Sequence, residues 1–287
     1  MRKILTIIAY TLLVLLIGRN MTSLPRFTLF STPKNYATDL KKQIQKLTDG
    51  ATGNYAVYFA DLNNDNLAFG IHEKEQFTAA SVNKVPIVAI LYFLENKGKL
   101  NLDEQITIQE DDLQDYGTGT IRYQTPGSVY SLKTLAKLAL SQSDNTAAYI
   151  IVKRIGIDIV QQTIQSFGLR QTDIASNKTS PYDIFLLFKK IYAHQITNEA
   201  RTEELLGFMR DTDSEDRLPA GLAPDAIVFH KTGDAIGSIH DLGIIKIDDT
   251  VFFLGIMTSD IGDKEKETRA TIAKIAKTTL DFYRNKK

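Results

Sequence analysis

The chain has 287 residues, 43% hydrophobic and 24% charged, enough to bury a large core in one big domain or two modest ones. Lys plus Arg and Asp plus Glu are equal at 34 each, so no basic excess points to nucleic acid. The absence of cysteine excludes disulfides, thiolate catalysis and cysteine-based metal sites. Charge is not blocked along the chain, apart from a modestly cationic tail at Arg284, Lys286 and Lys287.

Arg2 and Lys3 precede an uncharged, mostly apolar run of 14 residues from Ile4 to Ile17. A positive start before such a run fits a secretory signal, and the run is short for a spanning helix. Residues 1–20 are therefore read as a signal peptide or uncleaved signal anchor. The protein is expected to be exported, either secreted or anchored by that segment alone. Residues 21–34, with two Pro and several Ser/Thr, read as a tether.

From Tyr36 to Leu47, Ala37, Leu40, Ile44 and Leu47 recur at helical spacing. Tyr55–Leu62 and Leu67–His72 read as a hairpin around Asn63-Asn64-Asp65. Helical patterns follow at about Asn83–Lys97, Leu132–Ser141, Asn145–Ile155, Ile157–Phe167, Pro181–Tyr192 and Glu199–Met209. Strands return at Ala226–Thr232, Ser238–Ile247 and Val251–Ser259, and an amphipathic helix at about Lys264–Tyr283 closes the chain. This order predicts an α/β (α+β) fold with one interrupted, antiparallel, five-stranded sheet. The first and last helices cover one face, and an all-helical subdomain inserted at about 75–225 covers the other.

Three short motifs stand in order: Ser81-Val82-Asn83-Lys84, Ser143-Asp144-Asn145 and Lys231-Thr232-Gly233. Ser-x-x-Lys alone is weak, because Ser31-Thr32-Pro33-Lys34 matches too, where Pro33 argues against a helix. All three in order are specific. Ser81 and Lys84, three apart at a helix start, share a helix face. A serine hydroxyl needs a base to become a nucleophile. Lys84 is such a base only if burial and a second cation, Lys231, lower its pKa. A helix start also offers backbone N–H groups where an oxyanion forms. Read blandly, Ser143 or Asp144 is the N-cap of the next helix. Read chemically, Ser143 passes a proton to a leaving nitrogen and Asn145 holds a substrate amide. Lys231 and Thr232, at the end of a strand before a Gly without a side chain, can bind a substrate carboxylate.

No rival chemistry competes. His72, His194, His230 and His240 are not spaced as metal ligands, and His230 and His240 read as structural. Gly117-Thr118-Gly119 lacks the Lys and the strand of a phosphate loop. No Gly-x-Ser-x-Gly elbow surrounds Ser81.

At these residues the chain resembles the penicillin-recognising serine hydrolases, specifically the class A β-lactamase-like group. The likeness extends to Thr78-Ala79-Ala80 before the nucleophile, Pro126-Gly127-Ser128-Val129-Tyr130-Ser131-Leu132, Leu140-Ser141-Gln142 before the second motif, Thr146-Ala147-Ala148 after it, and His230 before Lys231. It spans about residues 35–287, the expected catalytic domain. The resemblance implies that Ser81 is acylated, with Lys84 as proton acceptor or relay and Ser143 as shuttle. It further implies that Asn145 contacts the acyl side chain, and that Lys231, Thr232 and Gly233 form the carboxylate-binding strand. The backbone N–H groups of Ser81 and Asp234 would make the oxyanion hole, and Tyr116 would line the cleft wall. It implies no cofactor and no metal, a β-lactam or peptidoglycan stem peptide as substrate, and a monomer.

The chain departs from that pattern in one place. Class A β-lactamases carry a loop glutamate that activates the deacylating water, whereas Gly168–Pro181 is short and has no Glu. Asp173, its one acid, reads as a turn residue. Asp234 is also awkward, since its carboxylate would repel a substrate carboxylate unless Lys231 neutralises it. Three functions stay open at this point. One is β-lactam hydrolysis through an acyl-enzyme. The second is a cell-wall DD-peptidase or penicillin-binding protein acting on D-Ala-D-Ala with slow deacylation. The third is a catalytically weak wall-binding module.

Overall fold

The computed structural model describes residues 36–64 and 67–284. The signal, the tether, the Ser31–Lys34 motif and Lys286 and Lys287 lie outside them. Helix α1 (Tyr36–Asp49) buries Leu40 and Ile44, one turn apart, as their spacing predicts. It packs on one face of a five-stranded antiparallel sheet together with the long C-terminal helix α8 (Glu265–Arg284), which buries Ile272, Ile275, Ala276 and Leu280.

The sheet runs in the order β2-β1-β9-β8-β7, so the first two strands of the chain pair with the last three. The strands are β1 (Asn54–Asp61), β2 (Ala68–Ile71), β7 (Ile227–Ala235), β8 (Ser238–Ile247) and β9 (Thr250–Ser259). Side chains alternate across it. Tyr55, Val57 and Phe59 of β1 and Phe252, Leu254 and Ile256 of β9 join the core under α1 and α8. Ala56, Ala60, Phe253 and Met257 join the core of the helical subdomain on the other face. With both faces covered, β8 and β9 are buried nearly throughout.

The helical subdomain lies between β2 and β7 in sequence. Its centre is α2 (Lys84–Asn96), in which ten of thirteen residues are buried. Around it stand α3 (Leu132–Ser141), α4 (Asn145–Ile155), α5 (Ile157–Ser166), α6 (Pro181–Tyr192) and α7 (Glu199–Gly207). The interrupted-sheet architecture is thus the one the element order predicts. Two short pairings escaped that reading. One joins β3 (Phe77–Thr78) to β6 (Lys178–Thr179), and the other joins β4 (Gln105–Thr107) to β5 (Val129–Ser131). Two- and three-residue strands leave no periodicity to detect.

One boundary is corrected. β7 does not end at Thr232 but continues through Gly233 and Asp234 to Ala235, registered on Ser238–Lys246 of β8. β7 is the sheet's edge strand, and His230 N–H donates away from the sheet to Met209 O at 2.9 Å.

Candidate active site

Ser81 sits in a 3₁₀ turn, Ala80–Asn83, that leads directly into α2, and Lys84 is the first residue of that helix. Ala80, just before it, is held at φ 48°, a conformation that L side chains adopt only under constraint. Several contacts supply the constraint. His240 on β8 donates from Nε2 to Thr78 O at 2.8 Å, and Ala79 N–H donates to Asn177 O at 2.8 Å. Gly233 lets β7 lie against the turn, because a Cβ there would meet Ala79 O and Val82 Cγ2 at 3.0 Å. The Gly of the third motif thus serves packing of the nucleophile turn.

Lys84 Nζ lies 2.8 Å from Ser81 Oγ, 3.1 Å from Ser143 Oγ and 2.6 Å from Asn145 Oδ1, and it also donates to Ser143 O. Burial is the main cause that pulls its pKa down to about 6, the charge of Lys231 adds to it, and Asp144 opposes. The contacts fit a neutral amine. Asn145 Oδ1 and Ser143 O can only accept, and they take the two N–H bonds of an –NH₂ group. The lone pair is then left for a hydroxyl proton, and Ser81 Oγ is at hydrogen-bond distance.

The second motif reaches the same amine from the α3–α4 connection. Ser143 is also left-handed, at φ 57°. Its hydroxyl bridges the two lysines, 3.1 Å from Lys84 Nζ and 3.0 Å from Lys231 Nζ. Asp144, rather than Ser143, is the N-cap of α4, with Oδ1 accepting from Ala147 N–H. Its Oδ2 accepts from the N–H groups of Thr120 and Ile121 at 2.7 and 2.9 Å, which fastens the 116–123 loop to the motif. Gly119, at φ 111°, is required there, since a Cβ would meet the Asp144 carboxyl at 2.3 Å. Asn145 Nδ2 donates to Tyr116 O at 3.1 Å, and a second N–H remains on that amide. Tyr116 lines the cleft and is 63% exposed.

Lys231 Nζ donates to Ser143 Oγ and to Thr232 O, and burial is the main reason its pKa falls to about 8. Asp234 lines the cleft too, but its partner is not Lys231. Arg217, fully buried, donates through Nη2 to both Asp234 oxygens at 2.7 and 2.6 Å, and Arg269 of α8 donates to Oδ1 at 2.9 Å. Two guanidinium groups therefore hold this carboxylate, and its charge also acts on Lys231, where it works against the burial that lowers the pKa.

Behind Lys231, His230 lies between two carboxylates. Its Nδ1 is 2.7 Å from Asp241 Oδ1 and its Nε2 is 3.2 Å from Glu215 Oε1. Burial alone would lower its pKa, but the charge of Asp241 and the hydrogen bonds to both acids outweigh it and raise the pKa to about 9. His240 takes the opposite form. It accepts from Thr258 N–H at Nδ1 and donates from Nε2, and burial pulls its pKa down to about 4.

These residues wall a cleft of about 1180 Å³ that contains Ser81, Lys84, Tyr116, Ser143, Asn145, Lys231, Thr232 and Asp234. Gly233 packs behind the wall. Sequence reasoning missed Arg217, Asp144's second role and the His230–Asp241 pair. Arg217 comes from an irregular segment and carries no local signal. Asp241 did carry one: an acid in a buried, mostly apolar strand must find a partner inside the protein. The 168–180 segment lines the cleft with Ile174, Ala175 and Asn177, and it joins the Ser81 turn through Asn83 Nδ2, which donates to Asn177 Oδ1 at 3.1 Å. Asp173 is turned away into its own loop. It exchanges two backbone hydrogen bonds with Lys178, and its Oδ1 accepts from Ser176 N–H at 2.8 Å. Among the described residues no group of three or more acids and histidines is placed to hold a metal.

Residues 39–283 match the profile of a family described as the β-lactamase enzyme family. The chain belongs to that family. Its relatives include β-lactamase VEB-1 of Pseudomonas aeruginosa, 24% identical over 250 residues that cover 78% of this chain and 84% of the relative. Extended-spectrum β-lactamase PER-1 from the same organism is 25% identical over 272 residues, 85% of this chain and 87% of that one. Among solved structures, PBP-A superposes with a TM-score of 0.81 at 28% identity, over 86% of this chain and 97% of its own. A β-lactamase from Chitinophaga pinensis gives a TM-score of 0.80 at 25% identity, over 85% and 98%. A single-residue variant of PBP-A is described as an acyl-enzyme complex with penicillin G.

Proposed function

We propose that this family member is a serine hydrolase that opens β-lactams and related carboxylate-bearing amides through an ester on Ser81. The observation that carries the reading is the Lys84 amine, its pKa lowered to about 6, 2.8 Å from Ser81 Oγ and in contact with Ser143. At neutral pH this amine takes the Ser81 proton as Oγ attacks the amide carbon. The oxyanion rests on the backbone N–H groups of Ser81 and Asp234. Ser143 then passes a proton from Lys84 to the leaving nitrogen, and the C–N bond breaks. Lys231 and Thr232 hold the substrate carboxylate, Asn145 meets the acyl side chain and Tyr116 flanks it. Relatives named β-lactamases and the penicillin G adduct on a variant of PBP-A support this chemistry.

A second reading is favoured by one observation. The loop wall of the cleft presents Ile174, Ala175 and Asn177 and no carboxylate to activate water. On this reading the ester is long-lived and the protein is a cell-wall DD-peptidase or penicillin-binding protein acting on D-Ala-D-Ala. A wall-binding module without turnover gains no support, because the Lys84–Ser143–Lys231 contacts are complete. The positive start and apolar run at residues 2–17 support export, with the segment either removed or kept as an anchor.

Intact mass after mixing with a penicillin separates these readings. An adduct on Ser81 that decays within seconds supports the hydrolase, and one that persists for hours supports the peptidase. No adduct at all refutes both. N-terminal mass of the protein recovered from the cell exterior tests export.

A further inference from the structure

We propose that Asp234 is a specificity residue whose carboxylate takes, inside the protein, the guanidinium positions that a substrate carboxylate would otherwise meet. The inference rests on the reading above, in which Lys231 and Thr232 receive that carboxylate. Thr232 and Asp234 are two apart on edge strand β7, so their side chains leave the same strand face roughly 7 Å apart. Asp234 lines the cleft and its side chain is 47% exposed.

Arg217 is fully buried and cannot follow a ligand. Its Nη1 donates to His240 O at 2.6 Å, and its Nε faces Asp216 Oδ1 at 3.4 Å. Nη2 makes both of its contacts to Asp234, which lines the cleft, at 2.7 and 2.6 Å. Arg269, tied through Nη1 to Asp216 at 2.9 Å, adds its Nη2 to the same carboxylate at 2.9 Å. Two rigid cationic donors therefore converge on one point beside Thr232, and the protein's own acid sits there. A substrate carboxylate entering next to it meets Lys231 and the Thr232 hydroxyl but no guanidinium. Replacing Asp234 with a short neutral residue leaves the two guanidinium groups aimed at that point and open to a substrate carboxylate.

The test compares a penicillin with its methyl ester, in wild type and Asp234→Ser, by the rate of adduct formation on Ser81. The carboxylate-to-ester rate ratio should rise roughly tenfold or more in Asp234→Ser. Asp234→Asn, which keeps size and one acceptor oxygen, should give a smaller rise and carries the test if the Ser variant does not melt cooperatively. The same pair measured as equilibrium affinity in a Ser81→Ala background reads the effect without any ester chemistry. Absence of wild-type adduct would refute the acyl-enzyme reading while the affinity ratio still tests Asp234. A ratio that stays flat or falls in the folded variants overturns the inference.

Discussion

The two walls of the cleft are built differently. One wall joins Ser81, Lys84, Ser143, Asn145 and Lys231 through side-chain contacts of 2.6–3.1 Å and buries both lysines deeply enough to shift their pKa values. The loop wall, from the 168–180 segment, offers Ile174, Ala175 and Asn177, and its single acid is folded into its own turn. The contrast separates the two halves of an ester mechanism. Forming the ester requires a base, a shuttle and an anion site, the roles proposed for residues of the first wall. Breaking it requires an activated water, and the loop residues that line the cleft, Ile174, Ala175 and Asn177, carry no ionisable group to activate one. Rate in the first half and lifetime in the second are thus set by different parts of the molecule, and substitutions on one wall should leave the other step nearly untouched.

The largest effects should come from the polar wall. Ser81→Ala should abolish the penicillin adduct and lower turnover roughly 10⁴–10⁶-fold. An adduct of unchanged mass shift in that variant would remove Ser81 as the nucleophile. Lys84→Ala should slow acylation on the order of 10²–10⁴-fold. Acylation by the wild type should be bell-shaped in pH. Lys84, lowered to about 6, is neutral and able to take a proton only above that value, so the rate rises through pH 6. Lys231, lowered to about 8, carries its charge only below that value, so the rate falls through pH 8. Stopped-flow acylation across pH 5–9 decides this, and a profile that climbs steadily to pH 9 would contradict the role of charged Lys231.

The loop wall offers a gain rather than a loss. Ala175 is exposed and lines the same cleft as Ser81. Ala175→Glu places a carboxylate there and should shorten the adduct's lifetime roughly 10–100-fold by general-base activation of water. Acylation should change by less than about threefold. If both steps slow together, the walls are not independent and the comparison fails.

The sequence made the polar wall legible because each of its parts sits in a short motif at a helix or strand end, where spacing alone brings groups together. Ser81 and Lys84 are one helical turn apart, and Asp144-Asn145 opens a helix. The sheet was legible too, since β8 and β9 are ten residues each, long enough to show a mostly apolar run. Three things were not legible. β7 runs past its motif to Ala235 because pairing with β8, not local propensity, decides where it stops. Arg217 reaches Asp234 from an irregular segment 17 residues away, a contact that no periodicity encodes. Gly117-Thr118-Gly119 looked featureless without its neighbours. In the fold its glycine backbone is what allows the loop to lie on Asp144 and Asn145.

The smallest effect concerns the support behind the polar wall. His230 is buried, with Asp241 on Nδ1 and Glu215 on Nε2, and its pKa is raised to about 9 against an ordinary value of 6.5. A raised pKa means that the folded state keeps a proton the unfolded chain releases. The stability it contributes is fully present below pH 6.5 and is lost as pH rises through 9. Lys84 and Lys231 act with the opposite sign, because their lowered values make folding more favourable as pH rises. The contribution of His230 therefore shows only as a difference between wild type and His230→Gln. The wild-type advantage should be largest near pH 6 and shrink by on the order of 3 kcal/mol by pH 9.5, a shift of several degrees in Tm. Thermal melts of both proteins at matched ionic strength measure it. A gap that does not change with pH would mean that His230 is a neutral packing residue.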